Sequence, residues 1–157
     1  MKKILLALFL VLGVLSFSAP NFINISKIEK NGYKISGEKE NRLLLGKTLE
    51  KGDRIENIFI SYDFVEENPN FSNSKHQFLK ETSPEGLEFT NSFETKRAII
   101  GKYTEINNSY FYTFVSKKNK VKNCYVSVYY ATDKNFSKNE LEEVCNKFLD
   151  EGESFLK

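Results

Sequence analysis

The chain has 157 residues, enough for one domain and too few for a second sizeable core. Its 23 Lys plus Arg stand against 21 Asp plus Glu. That balance lacks the clear basic excess phosphate binding wants, so nucleic acid is not expected as a partner. One histidine and two cysteines leave little material for a metal cluster or a nucleophile–histidine site.

Residues 1–18 read as a secretory signal. Lys2 and Lys3 form a positive start, and an apolar run of about 14 residues follows, too short to span a bilayer comfortably. Cleavage after Ser18 places Ser16 at the −3 site. The signal removes two lysines and no acid, leaving 21 charges of each sign in a single globular domain over 19–157. No stretch after Pro20 is apolar enough to cross a membrane. The expectation is an exported chain, periplasmic or extracellular, without a transmembrane segment once the signal is gone. Lysine outnumbers arginine 20 to 3 and asparagine is abundant. This suggests a codon bias of a bacterial source, and it makes any lysine-rich patch less informative.

Phe22 to Ser36 reads as a hairpin turning at Asn31-Gly32, a pair that suits positive backbone angles. Gly37 to Asp53 is polar apart from its leucines and holds at most a short strand at 42–46. Ile55 to Val65 is a strand with Ile58, Ile60, Tyr62 and Phe64 on one face. Ser74 and Gln77 fit a capping box opening a short helix that Pro84 stops. A β-meander follows, with strands over 87–93, 97–105, 110–116 and 121–131. The period then changes to 3.6. Ser137 with Glu140 forms a second capping box, and Leu141, Val144, Cys145, Phe148, Leu149, Phe155 and Leu156 fall on one stripe. Gly152 is expected to fray or kink the last turn. A one-faced helix must bury its stripe, and the sheet offers the surface. The fold class is therefore α+β: an antiparallel sheet of six or seven strands, a C-terminal amphipathic helix on one face and one short additional helix.

The chemistry in the sequence is sparse. His76 reads as an exposed helix residue, and there is no Cys-x-x-Cys or His-x-x-x-His spacing to suit a metal. Glu66-Glu67 with Asn68 and Asn70 could at most loosely hold calcium. Asp133 to Ser137 superficially resembles the start of an EF-hand, but Lys138 stands where its glycine is required. Glu142 and Glu143 point apart on a helix. Lys117, Lys118, Lys120 and Lys122 surround a hairpin tip and read as a solvated end. No catalytic residue, metal ligand or cofactor is assigned.

Two features are positive. If Asn107-Asn108 and Lys118-Asn119 are two-residue loops, Tyr103 faces Tyr112 and Tyr112 faces Tyr125, with Tyr110, Phe114 and Tyr129 on the same side. A tyrosine-rich face suits a sugar, a peptide or a protein. It also suits ordinary cross-strand pairing, and a three-residue second loop would break it. Cys124 alternates with Val126 and Val128, and Cys145 lies on the helix stripe. In an exported chain these two are expected to form a disulfide. The function expected is a non-enzymatic module of the bacterial envelope that binds a protein or small ligand. The alternative is a small hydrolase that uses paired carboxylates on cell-wall glycan.

Overall fold

The computed structural model describes residues 19–105 and 109–157. The expected signal and the expected turn at Asn107-Asn108 lie outside the described residues. Helix α1 spans Ile25–Lys30, and strands β1 (Lys34–Lys39), β2 (Arg42–Lys51) and β3 (Arg54–Phe64) follow. Next come helix α2 (Phe71–Glu81), β4 (Leu87–Glu94), β5 (Ala98–Glu105), β6 (Tyr110–Ser116), β7 (Cys124–Thr132) and helix α3 (Lys138–Ser154). The strands form one seven-stranded sheet in the order β1-β2-β3-β7-β6-β5-β4, with every neighbouring pair antiparallel. Helix α2 carries the chain from β3 to the far edge, and the meander β4 to β7 brings it back beside β3. Among the described residues no helix is long and apolar enough to cross a membrane.

Alternation sets the two faces. Ile58, Ile60 and Tyr62 of β3, with Val126, Val128 and Tyr130 of β7 and Phe114 of β6, form one apolar face, all buried. Helix α3 covers it with Leu141, Cys145, Phe148 and Leu149. Ser137 and Glu140 make both bonds of the expected capping box. Gly152 does not end the helix. A Cβ there would come within 3.2 Å of both Ile60 and Val126, so glycine lets the helix lie close to the sheet, and Tyr62 donates a 2.8 Å hydrogen bond to its carbonyl.

Four expectations of local structure are corrected. Residues 25–30 are a helix and not a strand, because Asn24 caps its start by accepting from Lys27 N. Asn31-Gly32 closes that helix. Gly32 takes φ +79°, and Tyr33 N donates back to Ile28 O, the bond of a Schellman motif. The leucine-bearing segment forms a full ten-residue strand. Helix α2 starts after Asn70, without a side-chain cap, and Gln77 pairs with Glu81 instead of reaching back to Ser74.

The register of the meander also differs. Tyr103 pairs with Phe111, and Tyr112 pairs with Lys102 on one side and Tyr130 on the other. The first pairing is displaced by one residue from the expectation and the second by five. Both displacements are odd, so β6 is turned over while β5 and β7 keep a common face. The cause in the second case is the connection. Seven residues, Lys117 to Asn123, join β6 to β7, and Asn123 takes a left-handed φ of 60°.

The expected disulfide is not formed. Cys124 and Cys145 are both buried free thiols. It is Gly152, not Cys145, that α3 sets against Val126, two residues from Cys124, and Cys145 lies about 10 Å further back along the helix axis. Burial pushes each thiol up to about 12, so neither supplies thiolate at neutral pH. Folded protein should therefore leave Ellman's reagent colourless, and protein unfolded without reductant should release two equivalents. Absence of those equivalents would show a bond that the fold does not hold.

Candidate functional site

The face opposite α3 is built differently. Its residues are Phe59, Ser61 and Asp63 on β3, Tyr125, Ser127 and Tyr129 on β7, Phe111 and Thr113 on β6, and Gly101 and Tyr103 on β5. Helix α2 covers one end. Phe71 stacks on Tyr125 at 4.1 Å, and Ser72 donates to Ser116 O at 2.6 Å. Gly101 is required beneath this helix, since a Cβ would come within 3.2 Å of the His76 ring and 2.6 Å of Thr113 Oγ1.

Beside α2, Asp63 is 3% exposed and meets two cations. Arg42 Nε donates to its carboxylate at 2.7 Å, and Lys75 Nζ lies 3.2 Å away. Ser61 Oγ lies 3.4 Å from the other oxygen. The two cations differ in exposure. The Lys75 side chain is 7% exposed and that of Arg42 is 41% exposed. Burial lowers the Lys75 ammonium, with Asp63 opposing. Burial also acts to lower Arg42, but Asp63 outweighs it and the guanidinium is raised. The triad carries one surplus positive charge, and Arg42 brings it to solvent with both terminal nitrogens unengaged among the described residues.

An aromatic row crosses five strands, beginning at Phe59, four residues along β3 from Asp63. Phe59 pairs with Tyr129. Tyr129 lies parallel to Phe111, with ring centroids 6.3 Å apart and planes at 6°. Phe111 meets Tyr103 edge-on at 5.8 Å, and Tyr103 meets Phe89 of β4 at 5.4 Å. Phe59, Tyr129, Phe111 and Phe89 are half-buried and reach solvent, while Tyr103 is buried. With strands about 4.8 Å apart, the row runs about 19 Å. Burial raises the Tyr129 hydroxyl, and the Asp63 charge adds to this, so it stays protonated and able to donate. Ser127 Oγ and His76 Nδ1 are buried on this side without a hydrogen-bond partner among the described residues.

The expected tyrosine ladder does not exist as drawn. Tyr103, Tyr112 and Tyr125 are all buried, and Tyr112 points into the core under α3. Its hydroxyl donates to Lys134 O and accepts from Phe136 N, both at 3.1 Å, which fixes the loop entering that helix. Tyr110 stands on the same side, stacked on Tyr112 at 6.3 Å. Tyr125 pins the loop after β3 by accepting from Asn68 N and donating to Asn68 O. Of the five tyrosines singled out, only Tyr129 belongs to the open row, with Tyr103 as a buried link. His76 is partly buried against Phe89 and not an exposed helix residue. Lys117 and Lys120 bond Thr95 O and Glu153 O, so that tip is tied down. Among the described residues no group of three His, Cys, Asp or Glu could hold a metal.

Arg42, Asp63, Lys75, Phe59 and Phe111 escaped sequence reasoning. One signal was available: Asp63 sits inside the most apolar strand, on the face opposite Ile60 and Tyr62. A charge in that position requires a buried partner. Comparison with known proteins finds no matching family model, no matching curated protein and no matching solved structure.

Proposed function

We propose that this chain is an exported, non-enzymatic binding module whose ligand is an acidic saccharide lying along the aromatic row, with a carboxylate on Arg42. The carrying observation is the surplus charge of the Arg42–Asp63–Lys75 triad at one end of a half-buried aromatic strip. Asp63 engages Nε and holds the guanidinium still, so its two terminal nitrogens form a fork for a carboxylate. Pyranose rings present flat C–H faces that pack on aromatic rings such as Phe59, Phe111 and Tyr129. An acidic peptide fits less well. The strands β3, β7, β6 and β5 are paired on both sides, and of the row's strands only β4, at its far end, is an edge, so a peptide along the row finds no main-chain partners over most of its length. Asp63 faces cations rather than a second carboxylate, and no observation favours the carboxylate-hydrolase alternative.

The test is a backbone NMR titration with an oligogalacturonate and an oligomannuronate, against a neutral oligoglucoside and tetraglutamate. At least one oligouronate should shift Phe59, Phe111 and Tyr129, and Arg42→Gln should weaken it by about tenfold or more. No shifts at these residues, equal binding by Arg42→Gln, or preference for tetraglutamate would each overturn the reading.

A further inference from the structure

A second cavity lies on the α3 side of the sheet, away from the aromatic row. Strand β7 pairs with β3 only from Asn57 onward, so the β2–β3 hairpin overhangs at Leu49 to Glu56. Helix α3 begins only after Ser137 and does not fill the space beneath the overhang. The result is a cleft of about 550 Å³ between the hairpin, the loop carrying Lys134 and Phe136, and the α3 residues Val144, Lys147 and Phe148. That volume is in the range of small-molecule sites.

Its chemistry is divided. The floor is apolar: Leu49, Tyr130, Phe136, Val144 and Phe148. The rim is cationic, with Lys51, Arg54, Lys134 and Lys147 and one carboxylate, Glu56. Lys51 neutralises Glu56 at 3.1 Å. Arg54 and Lys134 reach Asp133 and Glu140, each at 3.4 Å and with side chains 48–65% exposed. Such contacts are weak and exchange readily. Lys147 meets no carboxylate within ion-pair distance among the described residues and rides 5.8 Å over the Phe148 ring. Lys134 stands 4.5 Å over the Phe136 ring. The cations thus hang over an apolar floor, four of them against Glu56 in the lining and their ion-pair partners Asp133 and Glu140.

We infer that this cleft binds a small anionic amphiphile, an aryl or medium-chain acyl body ending in a carboxylate or sulfonate. The apolar body would lie on Phe136, Val144 and Phe148 and the anion between Lys134 and Lys147. The charge pattern selects against a neutral or cationic amphiphile of the same length. The site is independent of the row at Arg42, so either can fail alone.

Anilinonaphthalene sulfonate serves as probe, its fluorescence read on the folded full-length chain, with NMR dispersion confirming the fold of every variant. Bound probe should be displaced by decanoate but far less by decanol or decylamine. Lys147→Gln and Lys134→Gln change exposed positions, and each should weaken the probe about threefold, and both together about tenfold. Arg42→Gln should leave probe binding unchanged. The inference fails if the folded chain does not bind the probe, if decanol competes as well as decanoate, if the double lysine variant binds normally, or if Arg42→Gln removes the signal.

Discussion

Asp63→Asn should lower the unfolding free energy by about 3–5 kcal/mol, the cost of leaving a buried charge without its partner. The substitution keeps the shape of the side chain and removes only the charge. Lys75 is then a cation with a 7% exposed side chain and no counter-ion. Arg42 suffers less because water reaches 41% of its side chain. Lys75→Met alone should cost less than Asp63→Asn, since Arg42 still neutralises the carboxylate at 2.7 Å. Lys75→Met in the Asp63→Asn background should recover most of the loss, because the orphaned charge goes with it. Urea unfolding at neutral pH measures all three, with an unchanged slope showing that the same surface is exposed. A loss under about 1 kcal/mol for Asp63→Asn would mean that water solvates Lys75, and the triad would no longer be a rigid mount for Arg42.

What could be read in the chain, and what could not, follows from how local each determinant is. Helix α3 was legible because its signals are local and redundant: a capping box at Ser137 and Glu140, both of whose bonds form, and a 3.6-residue stripe that is buried. The strands of the meander were legible for the same reason. Asn31-Gly32 was misread because one residue preference serves two structures. A positive φ at Gly32 suits a hairpin turn and a helix C-terminus alike, and only the cap at Asn24 distinguishes them. The faces of β6 depend on connection lengths, which propensity does not specify. One odd displacement on each side turned the strand over and exchanged Phe111 for Tyr112 in the row. Arg42 and Lys75 come to Asp63 from 21 residues before and 12 after it in the chain. No pattern along the sequence encodes such a meeting.

The exchange on β6 gives a paired prediction that separates packing from binding at adjacent positions. Tyr112 is fully buried, packs on Tyr130 and Phe136, and holds the loop before α3 through its hydroxyl. Tyr112→Ala should cost about 3–5 kcal/mol, since a large ring leaves a cavity and two hydrogen bonds are lost with it. Tyr112→Phe keeps the ring and should cost only about 1–3 kcal/mol, the penalty of the two backbone groups left without the hydroxyl. Where these variants fold, oligouronate binding should be unchanged, because Tyr112 faces away from the row. Phe111 is half-buried on the other face and stacks on Tyr129. Phe111→Ala should cost less stability than Tyr112→Ala, because part of the Phe111 ring already reaches water and no hydrogen bond is lost with it. It should also weaken oligouronate binding about tenfold, because the ligand loses one ring of the strip and Tyr129 loses the neighbour that orients it. Denaturant unfolding and NMR titration of the same three proteins decide the matter. If Phe111→Ala proves the more destabilising and Tyr112→Phe the one that weakens the ligand, β6 presents the opposite face, and the row at Arg42 is broken at its centre.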